Sequence, residues 1–340
     1  DEIRSRGLGD VYKRQGYPYV NDTANSSSTK EIWAIGGGKG GVGKSFVAGN
    51  LGILLAQRGF RVILADLDLG GANLHTWLGV NTPEQGVSEF VDRQVEQIHE
   101  LLIPTSIPQL RLISGARDGV EIANLKHTQK MRFLMALKRL DTDFIIMDLG
   151  AGTAYNTIDF FLLAEKQLMV VIPEPTSIEN AYRFLKNSFY RKLRHTSSSF
   201  GLRNVVDQML KNNNSFGIRS PRDLIEYLKQ MGGNAASYID DQLEHFQPNL
   251  IINQTRSESD IRIGKAMEKA CRKYFGLTLN FSGYVEQHEG VRESVLRRKP
   301  VTLDKPESLM SQQLKTISEH LLKSSNISTP LTPKYSRLIP

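Results

Sequence analysis

Residues 36–45 read Gly-Gly-Gly-Lys-Gly-Gly-Val-Gly-Lys-Ser, and residues of these types in this order suit one chemistry, the holding of a polyphosphate. From Gly38 to Ser45 they fit the pattern G-x-x-x-x-G-K-[ST], with an extra lysine, Lys39, at the front. Glycines let the backbone curl, so that the N–H groups from Gly38 through Gly40, Gly41, Val42 and Gly43 turn into one concavity. A helix beginning behind them adds its positive end. Lys44 is then placed to reach the β- and γ-phosphates, Ser45 to give an oxygen to Mg²⁺, and Phe46 closes the run. The alternative is a glycine-rich turn that binds nothing, but it would need neither the Lys-Ser pair nor the elements around it.

Those elements are legible. Lys30–Ile35 reads as a buried strand ahead of the glycines and Phe46–Ala56 as a helix behind them. Arg61–Asp68 is a strand ending in two carboxylates, Asp66 and Asp68, and Phe144–Gly152 is another whose end spells Asp148-x-x-x-Gly152. Leu110–Gly115, Gln167–Ile172 and Leu250–Asn253 are further strands, and helical patterns alternate with them. This alternation predicts an α/β fold, a doubly wound, mainly parallel sheet with helices on both faces. Ligands of such sheets sit at the carboxyl ends of the strands, where Lys44, Asp68 and Asp148 all fall. Mg²⁺ keeps several waters, so Asp148 and Asp66 are expected to serve it through them. The bland alternative for each aspartate is a strand-end cap of the following turn, and for Asn253 a turn residue.

Composition agrees with a globular chain. Its 340 residues, 40% of them hydrophobic, suffice for a large core and an added subdomain. No apolar run is long enough to span a membrane. The single cysteine, Cys271, excludes an internal disulfide, suits a reducing cytoplasm and sits in a helical pattern as a packed thiol. The seven histidines lack ligand spacing.

The chain divides unevenly. Asp10–Gln15 back-translates to GATGTGTATAAGAGACAG, which resembles a transposon end, so residues 1–15 are expected to be adapter-derived. Residues 16–30 read as a disordered lead-in, 31–323 as the nucleotide-binding domain, and 324–340, with its three prolines, as a disordered tail. A helical insertion is expected at about 189–247, either a site of partner specificity or a lid that only packs on the core. Before it, Arg183, Lys186, Arg191, Lys192 and Arg194 form a basic run. With the pI near 9.3, this run fits either a phosphate-backbone surface or one solvated helix face. The last helix, within Glu307–Lys323, carries Leu314, Ile317 and Leu321 on one face, a spacing suited to docking on its own domain and not to a membrane anchor.

Lys39–Ser45, the two-carboxylate strand with Gly70–Leu74, the Asp148 strand and Leu250–Asn253 together resemble, in order, the MinD/ParA family of deviant-P-loop ATPases. The resemblance covers about residues 31–188 and 248–323. It implies ATP and Mg²⁺ as ligands, slow and partner-stimulated hydrolysis, and a homodimer in the ATP state. In such a dimer Lys39 reaches the partner's nucleotide. Asp68 takes the place of the water-orienting aspartate, and Asn253 that of the residue meeting adenine. Gly70–Leu74 is most similar to the FlhG/FleN-like flagellar-number regulators and next to MinD. The expected role is positioning a cellular structure through a protein partner, from the cytoplasm or peripherally at membrane or nucleoid. A DNA-partition ATPase that binds nucleic acid is the alternative. An iron–sulfur carrier would need cluster-ligating cysteines, and a regulator kinase a tyrosine-rich tail.

Overall fold

Strands buried on both faces read as continuous apolar runs, and four here are of that kind: β1 (Glu31–Gly36), β2 (Val62–Leu67), β5 (Phe144–Leu149) and β6 (Lys166–Val171). The computed structural model describes residues 30–68, 71–115, 125–197, 201–211, 216–325 and 327. The expected adapter segment, all of the lead-in but Lys30, and most of the tail lie outside the described residues. With β3 (Ile103–Pro104), β4 (Leu110–Ile113), β7 (Asn249–Thr255) and β8 (Asn280–Glu286), the sheet has the order β3-β4-β2-β5-β1-β6-β7-β8. Every pairing is parallel except β3 with β4. The doubly wound sheet expected from the sequence is the one observed.

Successive side chains leave a strand on opposite faces, so each run feeds two cores. Ile32, Ala34, Ile63, Ala65, Ile145 and Met147 enter one; Trp33, Ile35, Val62, Leu64, Phe144 and Ile146 enter the other. On the second face lie α1 (Lys44–Gln57), the short α2 (Leu74–Trp77) and, far along the chain, α13 (Leu309–Lys323). Leu314, Ile317 and Leu321 of α13 are buried there, so the apolar stripe docks on its own domain as read. On the first face lie α3 (Val87–Val91), α4 (His127–Arg139), α5 (Tyr155–Leu163), α6 (Pro175–Thr196) and α10 (Glu258–Ala270), while α12 (Val301–Asp304) joins the second.

The insertion departs from its expected bounds. α6 runs unbroken through residue 189, and the added helices are α7 (Arg203–Met209), α8 (Pro221–Met231) and α9 (Gly233–Glu244). The sequence gives no stop before Thr196, because Phe189 and Leu193 continue the apolar stripe of α6 into the core. The inserted helices are not a separate body. Val206, Leu224, Leu228 and Tyr238 join the core of the first face, and the Tyr238 hydroxyl donates to Leu193 O at 2.6 Å.

The segment after β2 is pinned to α1 by one close approach. A Cβ on Gly49 would lie 2.0 Å from Cζ3 of Trp77, so α2 rests directly on the helix backbone. We expect Gly49→Ala to lower stability by about 1–3 kcal/mol through overpacking, measured as a lower denaturant midpoint. An unchanged midpoint would show that Trp77 moves aside without cost.

Candidate nucleotide site

The loop between β1 and α1 is shaped by glycines at two positions that side chains disfavour. Gly41 and Gly43 have φ of 75° and 92°, in the left-handed region. Other loop glycines serve close packing. A Cβ on Gly37 would lie 2.9 Å from Val170 O, and one on Gly38 2.1 Å from Asn180 O. Thus β6 and α6 press on the back of the loop. Its front is open at Gly41, where a Cβ would meet nothing within 4 Å.

Lys44 opens α1 and is buried, 7% exposed, with its stem against the loop. The Ser45 hydroxyl lies near Asp148 and favours its ionised form. Asp148 and Asp66 stand directly opposite one another in the register of β5 with β2. Burial, reinforced by the charge of Asp66, pushes the Asp148 carboxyl up to about 8. Burial likewise pushes Asp66 up to about 6, against hydrogen bonds from the backbone of Leu74 and Asp68. Asp148 Oδ1 is buried and has no hydrogen-bond partner. An orphaned carboxylate oxygen beside a serine hydroxyl, in a site short of positive charge, fits a hydrated Mg²⁺.

The three aspartates have separate tasks. Asp66 receives Leu74 N at 3.0 Å and Asp68 N at 3.3 Å, so its oxygens anchor the backbone after β2. The sequence-based expectation tied it to the metal; its hydrogen bonds are to this backbone. Asp68 follows β2 and lies against Gly150, where a Cβ would come within 3.0 Å of its Oδ1. Gly152, with φ of 88°, donates its N–H to Gly37 O at 3.2 Å, which ties the segment after β5 to the loop.

Lys39 is half-buried beside the exposed Gly40 and Gly41. Its Nζ contacts Glu174 Oε2 at 2.8 Å and Thr176 Oγ1 at 3.1 Å, both at the start of α6. Asn253 does not sit at a turn. It is buried at the end of β7, and its amide donates to Val42 O at 2.8 Å. Beside it an open groove is lined by Gly43, Phe46, Asn253, Gln254, Val291 and Leu296. The groove is large enough for a nucleoside, at about 1010 Å³. Residues 290–297 form α11 (Gly290–Arg297), a wall of this groove that sequence reasoning did not assign to the site. Nothing in its sequence marks it beyond an ordinary amphipathic helix.

The basic run on α6 is largely consumed within the molecule. Arg191 pairs with the buried Asp159 at 2.8 Å, Arg183 with Glu179 at 2.6 Å and Arg194 with Asp207 at 2.9 Å. Lys192 reaches His245 O, and Lys186 lies over the Tyr190 ring. Among the described residues, no cluster of three or more histidine, cysteine or acidic side chains has metal-holding geometry, and none of the helices is long and apolar enough to cross a membrane.

Residues 28–196 match the family described as "ParA: NUBPL iron-transfer P-loop NTPase". The chain is 34% identical over 157 residues to Antiactivator FleN of Pseudomonas aeruginosa, covering 46% of this chain and 55% of that protein. It is 31% identical over 173 residues to Flagellum site-determining protein YlxH of Helicobacter pylori, covering 48% and 54%. The matches thus span about half the length of these curated relatives. Among solved structures, the cell division ATPase MinD of Pyrococcus furiosus superposes with a TM-score of 0.60 at 21% identity, over 87% of this chain and 100% of that one. The septum site-determining protein MinD of Pyrococcus horikoshii, complexed with Mg-ADP, gives 0.59 at 20%, over 86% and 96%. These two likenesses establish the fold. The iron-transfer wording finds no cluster ligands here, since Cys271 stands alone and buried.

The raised carboxyls set a pH dependence. A carboxyl whose folded pKa exceeds its unfolded value stabilises fully below the unfolded pKa, and that contribution is lost as pH rises through the folded one. For Asp148 this window runs from 3.8 to about 8. Thermal unfolding without nucleotide or Mg²⁺ should show stability falling across it, and Asp148→Asn should flatten the fall. An identical slope in the variant would exclude Asp148 as its source.

Proposed function

Because the chain belongs to the MinD/ParA family of P-loop NTPases, we propose that it is an ATP-driven dimerisation switch that positions or regulates a cellular structure, flagellar or at the division site. The likenesses to FleN and YlxH favour the flagellar branch. Bound Mg²⁺ would supply positive charge at the phosphate oxygens. The loop N–H groups and Lys44 hold the polyphosphate, and Ser45 with the free oxygen of Asp148 holds the hydrated cation. Asp68, propped beside Gly150, orients the attacking water, and Asp66 keeps the backbone under it in place. Hydrolysis then rests on positioning and electrostatics, with turnover limited until a partner completes the site.

The observation that carries the switch reading is Lys39. Unlike the buried Lys44, it is partly exposed, and it is held by the half-exposed Glu174. A surface pair of this kind is worth about 0–1 kcal/mol, so a second subunit's phosphates compete for Lys39 at little cost. The protein partner and the cytoplasmic location belong to the same proposal. The DNA-partition reading stays the alternative: of the α6 cations Arg191 is held by the buried Asp159, while Arg183 and Arg194 sit in exposed pairs that a phosphate backbone could displace.

Size-exclusion chromatography with light scattering tests the reading directly. Asp68→Ala should dimerise in ATP–Mg²⁺ and not in ADP, and Asp68→Ala/Lys39→Ala should stay monomeric in both. A single variant that remains monomeric in ATP would overturn the switch. Releasing Lys39 by Glu174→Gln should raise the ATP-state dimerisation constant by up to about fivefold. A fall would mean that Glu174 serves the dimer itself.

A further inference from the structure

Asn253 and Gln254 are consecutive, and in a regular strand consecutive side chains leave opposite faces. Here both reach the same loop. Asn253 Nδ2 donates to Val42 O at 2.8 Å, and Gln254 Nε2 to Gly41 O at 3.4 Å. A bulge makes this possible. The pairing of β7 with β8 slips between Asn253 and Thr255, and Gln254 has φ of 58°, in the left-handed region that a side chain disfavours. The contact is also tight, because a Cβ on Gly43 would lie 2.2 Å from Asn253 Nδ2.

Peptide geometry gives the arrangement a purpose. In a trans peptide the carbonyl and the following N–H point in opposite directions. Fixing the carbonyls of Gly41 and Val42 toward β7 therefore turns the N–H groups of Val42 and Gly43 the other way, toward the loop's concavity. We propose that Asn253 and Gln254 are positioning residues, a two-point clamp that pre-sets these N–H groups for a polyphosphate. The bulge is the device that brings both amides to one side. On this view Asn253 acts through the loop backbone and not by reading the base. The inference rests on the nucleotide-binding reading above.

A ligand without a base separates the two roles. Titration calorimetry would compare Mg²⁺–ATP with Mg²⁺–tripolyphosphate on the full chain and on Asn253→Ala, Asn253→Asp and Gln254→Ala. The clamp predicts that Asn253→Ala weakens both ligands by the same factor, about tenfold. Asn253→Asp keeps the shape but sets an acceptor against Val42 O, so it should lose at least as much. Gln254→Ala should lose less, again equally for both ligands; Gln254 is only partly buried, which keeps the test alive should the Asn253 variants fail to fold. A loss confined to ATP would overturn the clamp in favour of a base contact. Unchanged affinity for both ligands in every folded variant would overturn it outright. A wild-type chain that binds neither ligand would overturn the nucleotide reading beneath it and the clamp with it.

Discussion

Two carboxylates placed opposite one another at the ends of buried parallel strands are the constraint on which the site depends. The register of β2 with β5 puts Asp66 beside Asp148, and both are almost free of solvent. Like charges facing across strands destabilise a sheet, and burial makes the cost larger. The fold relieves Asp66 with backbone N–H groups and leaves one oxygen of Asp148 without a partner. The residual demand is for positive charge at one place, next to Ser45. A hydrated divalent cation bound with a polyphosphate meets that demand, and a neutral ligand does not.

Much of this was legible in the sequence, for a physical reason. Strands buried on both faces leave long apolar runs, and a polyphosphate loop needs glycines and a Lys-Ser pair at fixed offsets, so β1, the loop and α1 announce themselves locally. Asp66, Asp68 and Asp148 stand out because a carboxylate closing an apolar run is conspicuous. The contacts were not legible. That Lys39 rests on Glu174, that Asn253 faces Val42 and that α11 walls the groove depend on residues more than a hundred positions apart. The bulge at Gln254 leaves no sequence mark, since glutamine is an unremarkable strand residue and not a residue chosen for positive φ. The partners of the basic run were hidden in the same way, since Asp159, Glu179 and Asp207 pair with three of its five cations from helical neighbours or from other elements.

The insertion expected at about 189–247 begins inside α6, which runs unbroken from Pro175 to Thr196. Amphipathic periodicity identifies helices, but it cannot tell where a long helix stops serving the sheet and starts serving an addition. α6 does both. Its first turn holds Lys39 and its second crowds Gly38, while its last two turns carry Phe189 and Leu193 into the core shared with α7–α9.

That continuity has a mechanical consequence. Packed cores deform little, and a helix transmits displacement along its axis better than a loop does. The loop is held from behind by β6 and α6, from one side by Gly152, and from another by β7. Of these supports α6 runs on into the inserted helices, where the Tyr238 hydroxyl meets Leu193 O, and β7 follows directly after them. A change at the phosphates that displaced Lys39 or Gly38 would act first on the start of α6. The surface built by α7–α9 is therefore mechanically the nearest place for such a change to be read, although it lies well away from the nucleotide in sequence.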